Sequence, residues 1–250
     1  MAWSLTFLLP NYLIIGTQIF YDGAYAIDAR TWTLNVCLTI WALRLAYHIG
    51  KRHTEEDYRY VSLRARMSKC GPAMYYVLSF LLIFMVQASL SLCVNYCVFR
   101  TTLVSSFSGI ELKWTDYLGF TMFVIGFLFE AVGDAQLNTH INNTDPQKGK
   151  FCKTGLWRYT RHPNYFGEAL LWWGFFVVAC SIPRGWVTFF CPLVMHLLLR
   201  YVSGVPLLEK KARNHPEWAQ YEAETSVFFP WFWDKNAVPA QQDNFEAVPA

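Results

Sequence analysis

Charge is what this chain has least of. Of its 250 residues only 16% are Asp, Glu, Lys or Arg and 54% are apolar, whereas soluble domains carry about 25% charged residues. A surface that poor in charge excludes a water-soluble globule. Period-2 alternation is missing from the apolar runs, which excludes a membrane β-barrel. No G-x-G-x-x-G follows a strand, so there is no Rossmann domain. The seven cysteines (Cys37, Cys70, Cys93, Cys97, Cys152, Cys180, Cys191) form no C-x-x-C pair and no metal-ligand spacing, so no metal is expected and free core thiols are. No basic patch alternates with exposed aromatics, which removes nucleic acid as a partner.

Long apolar runs are what remains. Six of them, at about 3–20, 32–50, 73–99, 114–137, 164–182 and 184–203, approach the roughly 20 residues that a helix needs to cross the hydrocarbon core. The expectation is an all-α, polytopic membrane bundle of about six transmembrane helices. Met1-Ala2-Trp3-Ser4 carries no lysine or arginine, so the first run reads as a retained helix and not a signal peptide. No repeat interrupts the chain: 1–233 reads as one membrane-embedded domain, and 234–250 as a disordered polar tail.

Cytoplasmic loops keep the positive excess. Lys51, Arg52, Arg59, Arg64, Arg66 and Lys69 fall between runs two and three; Lys148, Lys150, Lys153, Arg158 and Arg161 fall between four and five. Arg200 closes run six and Lys210, Lys211, Arg213 and Lys235 follow it, while the opposite side holds Arg30, then Arg100 and Lys113, then Arg184 at the start of run six. Both termini are therefore expected in the cytoplasm. The loop 51–72 is expected to hold a short amphipathic helix stopped by Gly71-Pro72. After run six, two short amphipathic helices are expected on the cytoplasmic side, with Trp218, Tyr221, Phe228 and Trp231 at the membrane interface.

A carboxylate in a transmembrane helix costs about 2.5–3.5 kcal/mol at its centre, so each one calls for a partner or a task. Glu130 and Asp134 stand i,i+4 near the cytoplasmic end of run four, beside Gly119, Gly126 and Gly133, which recur every seven residues. Small residues at that spacing let a neighbouring helix come close, so the carboxylates are expected to face the bundle; pairing with Arg44 or Arg161 is the purely structural account of them. Run five opens with Pro163, suited to a first helical turn. Asn164, Glu168 and Trp172 follow on one face. The free N–H groups of that turn, with Arg161 and His162 before it, favour an anion such as a phosphate.

Three stretches carry a resemblance: "FEAVGDAQL" (129–137), "GLWRYTRHPNYFGEALLWWG" (155–174) and "SGVPLLEKKARNHPEWAQYEAETSVFFPW" (203–231). They resemble membrane proteins grouped with the steroid 5α-reductase C-terminal domain, and "WALRLAYHIGKRHTEEDYRY" (41–60) fits the amino-terminal half of that group. The resemblance implies a helical membrane reductase, in the endoplasmic reticulum by analogy, that moves hydride from NADPH to a C=C bond conjugated to a carbonyl. Its substrate would be a steroid or another lipid enone. The Asn-Tyr-x-Gly-acid pattern of related sterol reductases is matched by Asn164, Tyr165, Gly167 and Glu168. By that similarity Asn164 and Tyr165 contact the cofactor, with Arg161, His162, Asp134 and Glu130 beside them and Glu209, Trp218 and Tyr221 in a covering segment.

The chemistry asks for a proton source for the α-carbon, and a buried carboxyl or a tyrosine suits that task. Glu168 with Tyr165 or Tyr159 is the candidate catalytic set. A rival reading is an S-adenosylmethionine-dependent methyltransferase similar to the isoprenylcysteine carboxyl methyltransferases, which carry a comparable Arg-His-Pro-x-Tyr-x-Gly block. A non-catalytic membrane scaffold is the third.

Overall fold

Backbone polar groups in hydrocarbon must bond within their own segment, which an uncharged apolar run achieves only as a helix. A computed structural model of the chain is accordingly all-α. It describes residues 4–22, 27–52, 64–65, 67–108, 111–145 and 148–231. Leu8–Asp22 (α1) and Ala29–Arg52 (α2) come first. Pro72–Ser79 (α3) passes through a π-helical stretch, Phe80–Met85, into Val86–Ser108 (α4). Trp114–Asn142 (α5) and Pro163–Ala179 (α6) follow. Phe190–Leu197 (α7), Val205–Ala212 (α8) and Trp218–Glu224 (α9) complete the order.

Among the described residues three helical stretches are long and apolar enough to cross a membrane: Ala73–Ser105, Trp114–Asn142 and Gly185–Ala212. The other runs of the expected six are helical but fall short. α1 has 15 residues and α6 has 17, while α2 carries Arg30, Arg44, His48, Lys51 and Arg52 within its 24. The helix expected within 51–72 lies mostly outside the described residues, as does the tail 234–250. At the end of that loop a 3-10 turn, Ser68–Cys70, stops at Gly71, which takes φ 89°, and Pro72 opens α3.

The chain forms two compact units, Met1–Phe127 with Ala169–Leu198, and Leu128–Glu168 with the chain from Leu199 onward. In the first unit α1, α2 and α4 pack on one another and α7 packs on α4. Its centre is aromatic: Phe7, Trp41 and Trp172 meet pairwise at 5.3–5.4 Å between ring centroids, and Phe175 and Phe123 extend the cluster. Trp172 therefore belongs to this core. Ser4, Asn11 and Gln18 recur every seven residues on a buried face, and amides tie the helices together, Asn11 Nδ2 to Asn95 Oδ1 at 3.2 Å and Asn35 Nδ2 to Thr102 Oγ1 at 2.9 Å. Such bonds contribute roughly 0.6–2 kcal/mol each in a membrane bundle.

Arg30, expected as a loop charge, is instead fully buried. Its Nε and Nη2 both donate to Asp116 at 2.8 Å, Nη1 donates to Ser105 at 2.9 Å, and Nη2 also reaches the Glu111 carbonyl at 2.7 Å. The planar fork matches a carboxylate in two bonds, which is why arginine tolerates burial here. Arg44 lies with its guanidinium 5.9 Å from the Phe127 ring. A Cβ on Gly119 would fall 2.5 Å from the Gly174 carbonyl oxygen, and one on Gly174 would fall 2.6 Å from that of Gly119. At this level α5 and α6 touch backbone to backbone, as the glycine spacing on α5 foretold.

Candidate functional site

The polar residues singled out in the sequence gather in the second unit. The end of α5 approaches the start of α6 at Gly133, where a Cβ would stand 3.2 Å from the Asn164 nitrogen. The Gly133 carbonyl accepts the Trp157 indole N–H at 2.9 Å. One turn of 3-10 helix, Gly155–Arg158, leads there. Gly155 has φ 60° and any Cβ would strike the Gln136 side chain, so glycine alone fits that position; Gln136 Oε1 then accepts the Leu156 N–H at 2.9 Å. Asn164 Nδ2 donates to Asp134 Oδ1 at 3.0 Å, which supplies the buried Asp134 with a partner from α6. Glu130 and Glu168 are buried as well.

The C-terminal segment is held against the motif by backbone. Arg161 N–H donates to the Ser226 carbonyl at 2.8 Å, Trp231 N–H to the Tyr159 carbonyl at 3.1 Å, and Thr160 Oγ1 to the Phe228 carbonyl at 2.9 Å. Arg161, 7% exposed, is the hub. Its Nε donates to Glu209 Oε1 at 2.9 Å, and its Nη1 donates to the carbonyls of Thr225 at 2.6 Å and Glu222 at 3.1 Å. Its guanidinium lies 5.4 Å from the Trp218 ring centre, a distance that favours cation–π attraction. Arg161 thus pairs with Glu209 and, at 3.8 Å, with Glu222, and not with Glu130 or Asp134 on α5.

His162 Nε2 stands 3.1 Å from the same Glu209 oxygen, and its ring stacks on Tyr165 at 5.6 Å and 11°. Burial holds the His162 imidazole below its ordinary value, with the Glu209 hydrogen bond opposing that shift. A neutral ring facing a carboxylate must carry its hydrogen on Nε2. Tyr221 donates from its hydroxyl to the carbonyls of Cys152 and Trp157, each at 3.1 Å. Burial also pushes the Tyr221 phenol above its ordinary value.

A cavity of about 150 Å³ lies in this unit. Arg161, His162, Glu209, Trp218 and Tyr221 line it together with Lys150, Cys152 and apolar walls that include Phe151 and Trp157. Five of the expected site residues are brought to one cavity. Asn164, Tyr165, Asp134, Glu130, Glu168 and Tyr159 do not line it. Tyr159 is half-buried, and the Tyr165 N–H, expected to be free for an anion, donates to Asn164 Oδ1 at 3.0 Å. Trp218, Tyr221 and Phe228 are buried rather than interfacial: Phe151 stacks on Tyr221 at 5.5 Å and meets Trp218 edge-on at 5.3 Å. Only Trp231 of that group stays exposed, at 65%. None of Lys150, Phe151, Cys152 and Trp157 stands out in the sequence as a site residue: Lys150 reads as one loop charge among several, and an aromatic or thiol wall has no spacing that sets it apart from core.

Uncharacterized protein C594.04c of Schizosaccharomyces pombe (strain 972 / ATCC 24843) is 26% identical over 241 residues, covering 85% of this chain and 67% of its own length. No solved structure matches the chain. A family model described as "Protein of unknown function (DUF1295)" matches residues 1–225, and the chain belongs to that family.

Proposed function

We propose that this protein is a multi-pass membrane reductase that takes hydride from NADPH and saturates a C=C bond conjugated to a carbonyl in a lipid or steroid-like enone. One observation carries the reading: the three stretches that resemble the steroid 5α-reductase group, 129–137, 155–174 and 203–231, bond to one another through Asn164–Asp134 and Arg161–Glu209, residues that all belong to the second unit. The reading includes six crossings with both termini in the cytoplasm, and residence in the endoplasmic reticulum.

The cavity volume bears on the cofactor. Pockets that enclose a drug-sized ligand run from about 300 to 1,000 Å³, so 150 Å³ suits one end of a dinucleotide. Trp218 and Tyr221 would flank a ring, Lys150 would face a phosphate, and the Glu209-bound His162 would offer its remaining ring nitrogen as an acceptor. When bound, NADPH would supply the hydride. The proton for the neighbouring carbon is assigned to Glu168, with Tyr165 one turn before it on α6 and Tyr159 just ahead of that helix as alternatives. Burial of the Glu168 side chain keeps competing water away from that proton.

Titration of purified protein with NADPH and with S-adenosylmethionine separates the readings, because a ligand that binds the native state raises the melting temperature. The reductase reading expects stabilisation by NADPH and turnover of a member of a steroid and lipid enone panel. In Glu168→Gln, turnover should fall by about 100-fold or more, the usual worth of a positioned acid, with the NADPH shift retained. Stabilisation by S-adenosylmethionine alone would carry the methyltransferase reading, and a response to neither would leave the scaffold.

A further inference from the structure

A second cavity, of about 220 Å³, shares Phe151 with the first as a wall residue. The rest of its wall is Gly149 and five residues with polar side chains: His140, Lys148, Lys153, Thr154 and Glu217. We propose that this cavity binds a phosphate group, carried either by a soluble phosphate ester or by a lipid headgroup. The proposal stands apart from the reductase reading and rests on the second unit alone.

Its cations are in place before any ligand arrives. Lys148 Nζ donates to the carbonyls of His140, Ile141 and Asn143 at 3.1, 3.1 and 2.5 Å. The first two of those carbonyls end α5 and the third follows it, so the lysine offsets the partial negative charge of the helix terminus, which would otherwise repel an anion. Lys153 Nζ lies 5.5 Å from the centre of the Tyr221 ring. A lysine already ordered spares the ligand the entropy cost of fixing a free side chain.

The remaining polar groups suit phosphate oxygens. His140 Nε2 is buried with no hydrogen-bond partner, and a buried polar nitrogen left so costs about 1–3 kcal/mol. An acceptor oxygen in the cavity would satisfy an N–H there. Thr154 offers a hydroxyl donor. The wall holds one carboxylate, Glu217, whose Oε2 accepts the Lys150 backbone N–H at 3.0 Å. With the three Lys148 N–H donors taken up at the helix end, Lys153 is the lysine of this wall left to meet the phosphate. Gly149, at φ 66°, adds no side chain beside that carboxylate.

The test uses the full chain in neutral detergent at low salt, where phosphate contacts are least screened. One arm titrates glycerol 3-phosphate, a phosphate ester that is no part of NADPH, by calorimetry. The other measures retention of phosphatidic acid against phosphatidylcholine by native mass spectrometry. Binding in either arm is expected, and which arm responds identifies the carrier. Lys153→Gln should weaken it about tenfold, the loss of one hydrogen bond to a charged group. His140→Gln, which leaves the lysines untouched, should weaken it in the same arm. Lys210→Gln, at an exposed lysine outside this wall, should leave it unchanged. Binding in neither arm, or wild-type affinity in both Lys153→Gln and His140→Gln, overturns the proposal. Phosphate binding without any response to NADPH would count against the reductase reading alone.

Discussion

His162 and Arg161 share one oxygen of Glu209, and that sharing sets how the site responds to acid. The imidazole titrates below its ordinary value because it is buried, so the unfolded chain takes up a proton before the folded one does. Stability contributed by the neutral ring is therefore complete above about pH 6.5 and is lost as pH falls toward the lowered native value. The melting temperature of the solubilised protein should decline as pH is lowered from 7 to 5, and His162→Gln should flatten that decline; an unchanged slope in the variant would remove His162 as the cause. Arg161, His162 and Glu209 were legible as candidates because charge beside an apolar run is costly and rare. Their mutual bonding was not, since 47 residues separate His162 from Glu209 and no spacing rule spans that distance. Arg30 and Asp116 show the same limit. Arg30 reads as an ordinary loop charge in the sequence, and only the fold sets it 2.8 Å from Asp116.

At the scale of elements, glycine decides how close two helices come. Gly119 on α5 and Gly174 on α6 leave no room for a methyl group, whereas Gly16 on α1 has open space around it. Gly119→Ala should destabilise the protein by about 1–3 kcal/mol, the usual cost of overpacking, and Gly16→Ala should be neutral or stabilising by up to about 1 kcal/mol through helix propensity. Thermal unfolding of both variants in one detergent reads the difference, and equal melting temperatures would show that this contact adds nothing. The seven-residue glycine spacing made such an approach on α5 readable in advance; its partner on α6 was not, because Gly174 stands alone in an apolar run. Element type followed from apolarity throughout. Element length did not, and α1 and α6 end within 15 and 17 residues.

For the molecule as a whole, orientation is the property that composition speaks to most directly. Asn142-Asn143-Thr144 forms a glycosylation sequon, with Asn142 exposed at the end of α5. Under the proposed orientation it faces the cytoplasm, so expression in a eukaryotic host should give a protein whose gel mobility glycosidase does not change. A mobility shift abolished by Asn142→Gln would reverse the topology. What the sequence by itself determined was helical class, membrane residence and the short roster of polar residues that demand explanation, because burying backbone and charge in hydrocarbon carries a large cost whatever the fold. What only the tertiary structure decided was partnership: Glu209 rather than Asp134 receives Arg161, Trp218 and Tyr221 turn inward to wall a cavity, and Lys148 and Lys153 line a second one. Those choices depend on which segments meet across long stretches of chain, and a local pattern of residues holds no record of that.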